Sequence, residues 1–315
     1  MENPNSFEFE VAASDAGERL DKLVLAALSD LTRAQVQTLI KEGRVTVDGR
    51  PIKAGVKLRG GEQIRIALLS DETTEEADAI APEAIDLKIL YEDDDLVVLE
   101  KPAGLTVHPG VGNEQGTLAN ALLARYPELA EMQGAPEAEG RMGIVHRLDK
   151  DTSGLMVAAR NLETLRALMN QFRERSVEKQ YIALLERRPK TERGVIDAPI
   201  ARDPRQRKRM AVVQGGRPAV TDFEIIDDNF LEDRALVRLT LHTGRTHQIR
   251  VHMAFIGCPV VGDRVYGFRK QRLSLKRQFL HAALLAFTHP RSGERLKFES
   301  PLPPGLQNIL DKLRR

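Results

Sequence analysis

Arg141-Met142-Gly143-Ile144-Val145-His146-Arg147-Leu148-Asp149-Lys150-Asp151-Thr152-Ser153-Gly154-Leu155 is the stretch on which the reading of this 315-residue chain turns. Ile144-Val145 leads in and Leu155-Met156-Val157-Ala158-Ala159 leads out, so a polar insert is pinned at both ends by strand-like apolar runs. Between them stand His146, Arg147, Asp149, Lys150, Asp151, Thr152 and Ser153. Ionisable groups crowded into one anchored loop carry a desolvation cost, which a chain tolerates where chemistry or tight recognition takes place. Arg147 and Lys150 flank Asp149, and neighbouring cations favour a charged carboxylate. A charged, positioned carboxylate can be a nucleophile or a general base. The same residues would also serve as a loop salt bridge, and taken alone Asp149 leaves both readings open.

The rest of the chain narrows the class. Its length suits two domains, and 42% hydrophobic residues support a packed core. Cys258 is the only cysteine, which excludes a disulfide framework and fits a cytoplasmic setting. No apolar run approaches the roughly 20 residues of a membrane helix, and Met1–Asn5 has neither the basic start nor the apolar core of a signal peptide. With no tryptophan and 4% aromatics, stacking many bases in the manner of single-strand binding proteins is disfavoured. The net charge of +1 conceals a segregation. Residues 71–100 carry twelve acidic side chains against Lys88, residues 16–68 carry ten bases against six acids, and residues 264–277 carry six bases and no acid. Basic patches offset by an acidic connector point toward a polyanionic partner.

Periodicity divides the chain. Leu20, Leu23, Val24, Ala27 and Leu28 share one helical face, and a second helix begins at a Thr32/Gln35 capping box and ends at Gly43. Arg44–Val47 and Gln63–Leu68 read as strands, with a hairpin turn at Asp48-Gly49. Arg33, Lys41, Arg44, Arg50 and Lys53 would decorate this module, as suits nucleic-acid binding. Residues 1–69 are therefore expected to be an RNA-binding domain, 70–86 an acidic linker and 87–315 a second domain. In the second domain, strands are expected at Lys88–Tyr91, Leu96–Leu99, Tyr181–Leu185, Ala219–Ile226, Ala235–His242, Phe279–Thr288 and Glu294–Glu299. Helices are expected from Asn161 to about Arg175, over His247–Ile256 and over Gly305–Leu313. Strands outnumber helices without regular alternation, which predicts an α+β fold with a mainly antiparallel, mixed sheet.

Familiar cofactor motifs fail on spacing. Asp149-x-Asp151-x-Ser153-Gly154 opens like a calcium loop, but its twelfth position is Arg160, where a bidentate glutamate is required. Gly110, Gly112 and Gly116 miss the dinucleotide spacing by one, and no Gly-Lys-Ser/Thr phosphate loop exists. His242, His247 and His252 fall five apart, which does not stack two imidazoles on one helical face. Cys258, between Gly257 and Pro259, reads as a small buried residue. A second polar cluster remains, Thr243-Gly244-Arg245-Thr246-His247-Gln248-Ile249-Arg250-Val251-His252, offering Arg245 and Arg250 to a carboxylate or to phosphates. Lys179-Gln180-Tyr181 adds a tyrosine at the start of a strand.

The run from Arg19-Leu20-Asp21 through Gly60-Gly61-Glu62 resembles the small alpha-L RNA-binding domain first seen in a ribosomal small-subunit protein. His146 to Leu155 resembles the active-site motif of the RluA-type pseudouridine synthases. Three further segments agree in order: Tyr91 to Pro109, Glu178-Lys179-Gln180-Tyr181-Ile182-Ala183, and Gly244 to His252 followed by Gly262–Gly267. Within the family, His108-Pro109-Gly110-x-Gly112-Asn113 and the N-terminal module look most like the ribosomal large-subunit synthase D subtype.

The resemblance implies an isomerase that turns uridine in RNA into pseudouridine. The N1–C1′ bond breaks, the base turns, and C5 joins C1′, with no metal or cofactor required. It implies that Asp149 is the catalytic aspartate, by attack at C1′ or removal of the 2′ proton, and that Arg250 pairs with it. Tyr181 would pack on the target base, Arg147 would help hold the everted nucleotide, and His146, Arg245 and His247 would line the substrate site. Flipping a base costs a few kcal/mol, least in a loop, which fits unpaired uridines of a structured RNA. For the D subtype the implied partner is large-subunit (23S) rRNA in the helix 69 stem-loop, free or within a pre-ribosomal or assembled subunit, bound by a cytoplasmic monomer. Arg205, Arg207, Lys208 and Arg209 are expected to bind the RNA backbone, as are Arg33, Lys41 and Arg44. The competing readings are a non-catalytic ribosome-assembly factor, in which Asp149 is structural, and a metal-dependent RNA hydrolase, for which the spacing supplies no ligand cluster.

Overall fold

The computed structural model describes residues 6–28, 33–67, 80–110, 113–132, 138, 141–206, 209–270, 273 and 275–314. The chain divides into two compact units, Met1–Ala79 and Ile80–Arg315.

The first unit runs β1 (Ser6–Glu10), α1 (Leu20–Ala27), α2 (Arg33–Lys41), β2 (Val45–Val47), β3 (Arg50–Pro51) and β4 (Gln63–Ala67). Its antiparallel sheet has the order β1-β4-β2-β3. The apolar stripes of the helices, Leu20, Val24, Val36 and Ile40, are buried with Val45, Val47, Ile64 and Ile66 of the strands. Asp48 and Gly49 both take positive φ, 48° and 76°, as a two-residue hairpin turn demands. The expected capping box lies outside the described residues at Thr32, as does the side chain of Arg33. Strand β1 was not foreseen. It lies at the edge of the sheet, and Phe7 stays 39% exposed, so its alternation carries little burial signal.

The second unit begins with β5 (Lys88–Glu92), β6 (Leu96–Lys101), α3 (Leu118–Arg125), β7 (Ser153–Ala159), α4 (Leu162–Glu174), β8 (Glu178–Leu185) and β9 (Arg193–Asp197). It continues with β10 (Ile200–Arg202), β11 (Met210–Val212), β12 (Val220–Asp227), β13 (Ala235–Leu241), α5 (Gln248–Phe255), β14 (Leu280–Thr288), β15 (Arg295–Glu299) and α6 (Pro304–Leu313). Nine strands form one sheet in the order β5-β6-β7-β14-β8-β13-β12-β9, with β15 on β14, and β10-β11 is a separate hairpin. Only β7 and β14 run parallel, so the sheet is the mixed, mainly antiparallel one expected of an α+β fold. Strand β7 is buried at every residue, which explains why its sequence is a continuous apolar run rather than an alternation.

Asn161 caps α4 by accepting from the Thr164 N–H, as expected, and Arg175 closes it in the left-handed region at φ 61°. Helix α3 escaped the sequence reading because Leu118 to Leu123 are all buried, so no polar face marks a helical period. No helix among the described residues is long and apolar enough to cross a membrane.

Candidate active site

Two glycines set the approach to the polar loop. A side chain on Gly143, at φ 73°, would place its Cβ 1.9 Å from the Ala159 carbonyl oxygen. One on Gly154, at φ 123°, would lie 2.2 Å from the Ala282 carbonyl oxygen. The loop thus begins and ends against neighbouring backbone that only glycine can approach. Asp149 emerges just ahead of β7, and Tyr181 sits in the middle of β8, opposite Ala282 of the intervening β14.

The Asp149 carboxylate accepts a 2.8 Å hydrogen bond from Nη1 of Arg250. The same guanidinium donates through Nε and Nη2 to the two oxygens of Asp263, at 2.7 and 3.0 Å. Asp263 is fully buried and also accepts from the N–H groups of Val265 and Tyr266. Arg250 therefore bridges an interior carboxylate, which fixes it, and a part-exposed one, which it orients. Burial alone would push its proton off, but the bonds and charges of Asp263 and Asp149 outweigh that and raise it. Burial likewise opposes ionisation of Asp263, and the Arg250 bond reverses this, holding the carboxyl below its ordinary range. The ring of Tyr266 lies 5.1 Å from the guanidinium carbon, beneath the bridge.

His247 Nε2 stands 3.9 Å from Asp149, and Nδ1 is 2.8 Å from the Tyr266 hydroxyl. Burial lowers the imidazole's proton affinity, against the pull of Asp149. His247 adopts φ 58° at the start of α5, left-handed backbone that a non-glycine residue holds at a cost and that recurs at functional sites. Tyr181 is 7% exposed and its hydroxyl has no hydrogen-bond partner among the described residues. Burial, and then the charge of Asp149, push its ionisation up, so at neutral pH it is a phenol.

Arg147 is exposed beside Asp149 in the chain. His146 faces inward: Nε2 accepts from the Val157 N–H, and the ring stacks on Phe172 at 4.8 Å. Arg245 donates Nε to the Pro218 carbonyl. Arg205 is exposed on the β10-β11 hairpin, while Arg209 lies 5.2 Å from the Tyr266 ring and 3.4 Å from Asp203. Arg207 and Lys208 fall outside the described residues. In the first unit Lys41 is exposed and Arg44 pairs with Glu42.

Three participants went unassigned in the sequence. Asp263 and Tyr266 lie in a quoted motif, but nothing in the spacing says that they surround Arg250. Lys101 is fully buried and donates to the carbonyls of Pro102, Leu105 and Lys150 at 2.9, 2.7 and 3.0 Å. It ties the residue after Asp149 to the end of β6. Burial lowers its ammonium to about 7, against the pull of Asp149 and Asp151. The three widely spaced histidines each have separate partners: His242 on Asp222, His247 on Tyr266, His252 on Thr221 and Ala198. Asp93, Asp95 and His289 approach within 4.8 Å, as metal ligands could. Their atoms are spent on the β5-β6 turn, where Asp93 accepts from Tyr91, His289 and the N–H groups of Asp95 and Leu96.

Residues 95–255 match the family model for RNA pseudouridylate synthase. The chain belongs to the RNA pseudouridine synthase family. Residues 18–64 match the S4 domain, an RNA-binding module, as the alpha-L resemblance anticipated. An uncharacterized RNA pseudouridine synthase of Chloroflexus aurantiacus is 49% identical over 96% of this chain and 92% of its own length. The ribosomal large subunit pseudouridine synthase D of Nitrosomonas europaea is 43% identical over 100% of this chain and 90% of its own, which bears out the likeness to that subtype. Among solved structures, human RNA pseudouridylate synthase domain containing 1 superposes with a TM-score of 0.57 at 29% identity, covering 71% of this chain and 87% of that one. The protein is thus an isomerase, and RNA is its substrate.

Proposed function

We propose that Asp149 is the catalytic carboxylate of a 23S rRNA pseudouridine synthase that acts on unpaired uridines of the helix 69 stem-loop. The carrying observation is the bridge Asp149–Arg250–Asp263, which holds one carboxylate on a fixed mount, near enough to Tyr181 to raise that phenol's ionisation. The rRNA target rests on the resemblance to large-subunit synthases of type D. The uridine's N1–C1′ bond breaks, a C5–C1′ bond forms, the C5 proton leaves, and N1 gains one. The change is redox-neutral, and no metal or cofactor is assigned a step.

Asp149 acts at the sugar, by attack at C1′ or by removal of the 2′ proton. Arg250 holds it in line. Tyr181 supports the turning base, and as a neutral phenol it can pass a proton rather than supply a standing charge. Arg147 and His247 border the place of the everted nucleotide, Arg245 serves the same pocket, and His146 shapes its wall. Residues 1–69 bind RNA, 70–86 link, and 87–315 catalyse, in a cytoplasmic monomer. The patches at Arg33, Lys41, Arg44 and Arg205–Arg209 hold the phosphate backbone.

The test compares wild type with Asp149→Asn for tritium release from C5-labelled 23S rRNA, with reverse-transcription mapping of the product. Loss of release in the variant, with the modified sites in helix 69, is the expected result. Equal release would overturn the role of Asp149, sites elsewhere would overturn the target, and no release by wild type from any rRNA would return the assembly-factor reading.

A further inference from the structure

Lys179 is a lysine that the chemistry above leaves unused. It lies two residues before Tyr181 on β8, so both side chains leave the same face of the strand, about 7 Å apart. It is 92% buried by area, being only 8% exposed. Among the described residues no carboxylate pairs with its ammonium. Its neighbour is the ring of Phe172, with Nζ 5.5 Å from the centroid, and His146 of the catalytic loop stacks on the same ring. The stem is buried, and no hydrogen-bond acceptor among the described residues takes up the ammonium. Glu178 leaves the opposite face, engaged with Gln180.

The surroundings are positive rather than compensating. Gln180 pairs with Thr240, and Thr221 with Leu241, so the start of β8, the end of β13 and the start of β12 meet at one end of the sheet. The segments that flank this end carry Arg175, Arg245 and Arg217. Arg175 acts electrostatically on both Lys179 and Arg245, and Arg217 acts on Arg245. None of the three makes an ion pair among the described residues. Among the described residues these four cations have no counter-ion, and they gather beside Tyr181, whose ionisation feels the charge of Asp149.

We propose that Lys179, flanked by Arg175 and Arg245, is the seat of an RNA phosphate adjoining the target nucleotide, a contact that serves binding rather than the chemical step. The proposal rests on the assignment of Asp149 and Tyr181 to the reacting nucleotide. The face shared with Tyr181 places this phosphate at the flipped nucleotide itself, whereas the basic patches elsewhere grip the surrounding RNA. The Phe172 ring, 5.5 Å from Nζ, steadies the ammonium without using up its donors.

The experiment uses the full-length protein and a fluorescein-labelled helix 69 stem-loop. Lys179→Met, which keeps the bulk over Phe172, should raise KM on the order of tenfold with kcat within about twofold. It should also reduce the slope of log affinity against log salt by about 0.7, one single-strand phosphate contact. Lys179→Arg should restore most of both. A phosphate scan of wild type needs no variant: a neutral methylphosphonate at one linkage beside the target uridine should weaken binding by the same factor, with no further loss in Lys179→Met. An unchanged salt slope in Lys179→Met, or a scan in which no adjoining linkage matters, would overturn the proposal. Asp149→Asn keeps the full slope, so failure here and failure of the catalytic assignment are read separately.

Discussion

Replacing Asp263 by asparagine tests whether the active aspartate is aimed from inside the protein. Asp263 receives two of the three side-chain hydrogen bonds that Arg250 makes to carboxylates, at 2.7 and 3.0 Å, and it is fully buried. Asparagine has the same shape, so no cavity forms. One of its corners is an amide NH₂, which would face a guanidinium N–H, donor against donor. One charge-assisted bond is lost, about 1.5–3 kcal/mol. Among the described residues the remaining positive charge is balanced by the part-exposed Asp149 alone, so the ceiling is the roughly 3–5 kcal/mol of a broken buried pair. About 3 kcal/mol of stability should disappear, read as a lower urea midpoint with unchanged slope. Arg250 should then turn toward Asp149. If about half of that energy is what holds the carboxylate in line, and each 1.36 kcal/mol is a factor of ten, single-turnover tritium release should slow at least tenfold. Stability within 0.5 kcal/mol (about the spread of ordinary surface substitutions) together with wild-type release would refute the mount. Lost stability with wild-type release would reduce Asp263 to a purely structural residue.

Three further outcomes follow from the same geometry. Gly154→Ala would drive a Cβ to 2.2 Å from the Ala282 oxygen at a φ of 123°, so β7 and β14 must part; a loss of more than about 3 kcal/mol is expected, and a melting temperature within 2–3 °C of wild type, under about 1 kcal/mol, would contradict it. Tyr181→Phe removes a hydroxyl with no partner among the described residues, so the urea midpoint should hold while tritium release slows about 100-fold; equal release would remove the hydroxyl from the chemistry. Burial lowers His146 to about 3 and His108 to about 4, from 6.5, so below pH 6.5 the unfolded chain binds protons that the folded chain refuses. Their contribution is intact above pH 6.5 and is lost as the pH falls toward 4, at up to about 1.4 kcal/mol per pH unit for each group. Urea midpoints at pH 7.5, 6 and 5 follow it, and His146→Gln should flatten the decline.

The loop from His146 to Gly154 was legible because its signal is local: polar residues between two apolar runs, with glycines at the joints. The alternating strands and the cap of α4 were legible for the same reason. What escaped is what only the fold brings together. Helix α3 has no polar face to reveal a helical period, since its first six residues are all buried. Asp263 is 114 positions from Asp149, and one arginine joins them. Lys101 reads in the sequence as an ordinary cation after a strand, yet it is fully buried and holds three carbonyls, one of them the carbonyl of Lys150. The two lysines that flank the chemistry divide its labour by their partners. Lys101 has spent its donors on the chain's own backbone and so can only position. Lys179 has spent none on a carbonyl or carboxylate among the described residues, so its charge is still available to a substrate. Burial lowers both, to about 7 and about 8, and it is the unused donors, not the shift, that separate a scaffold from a binding site.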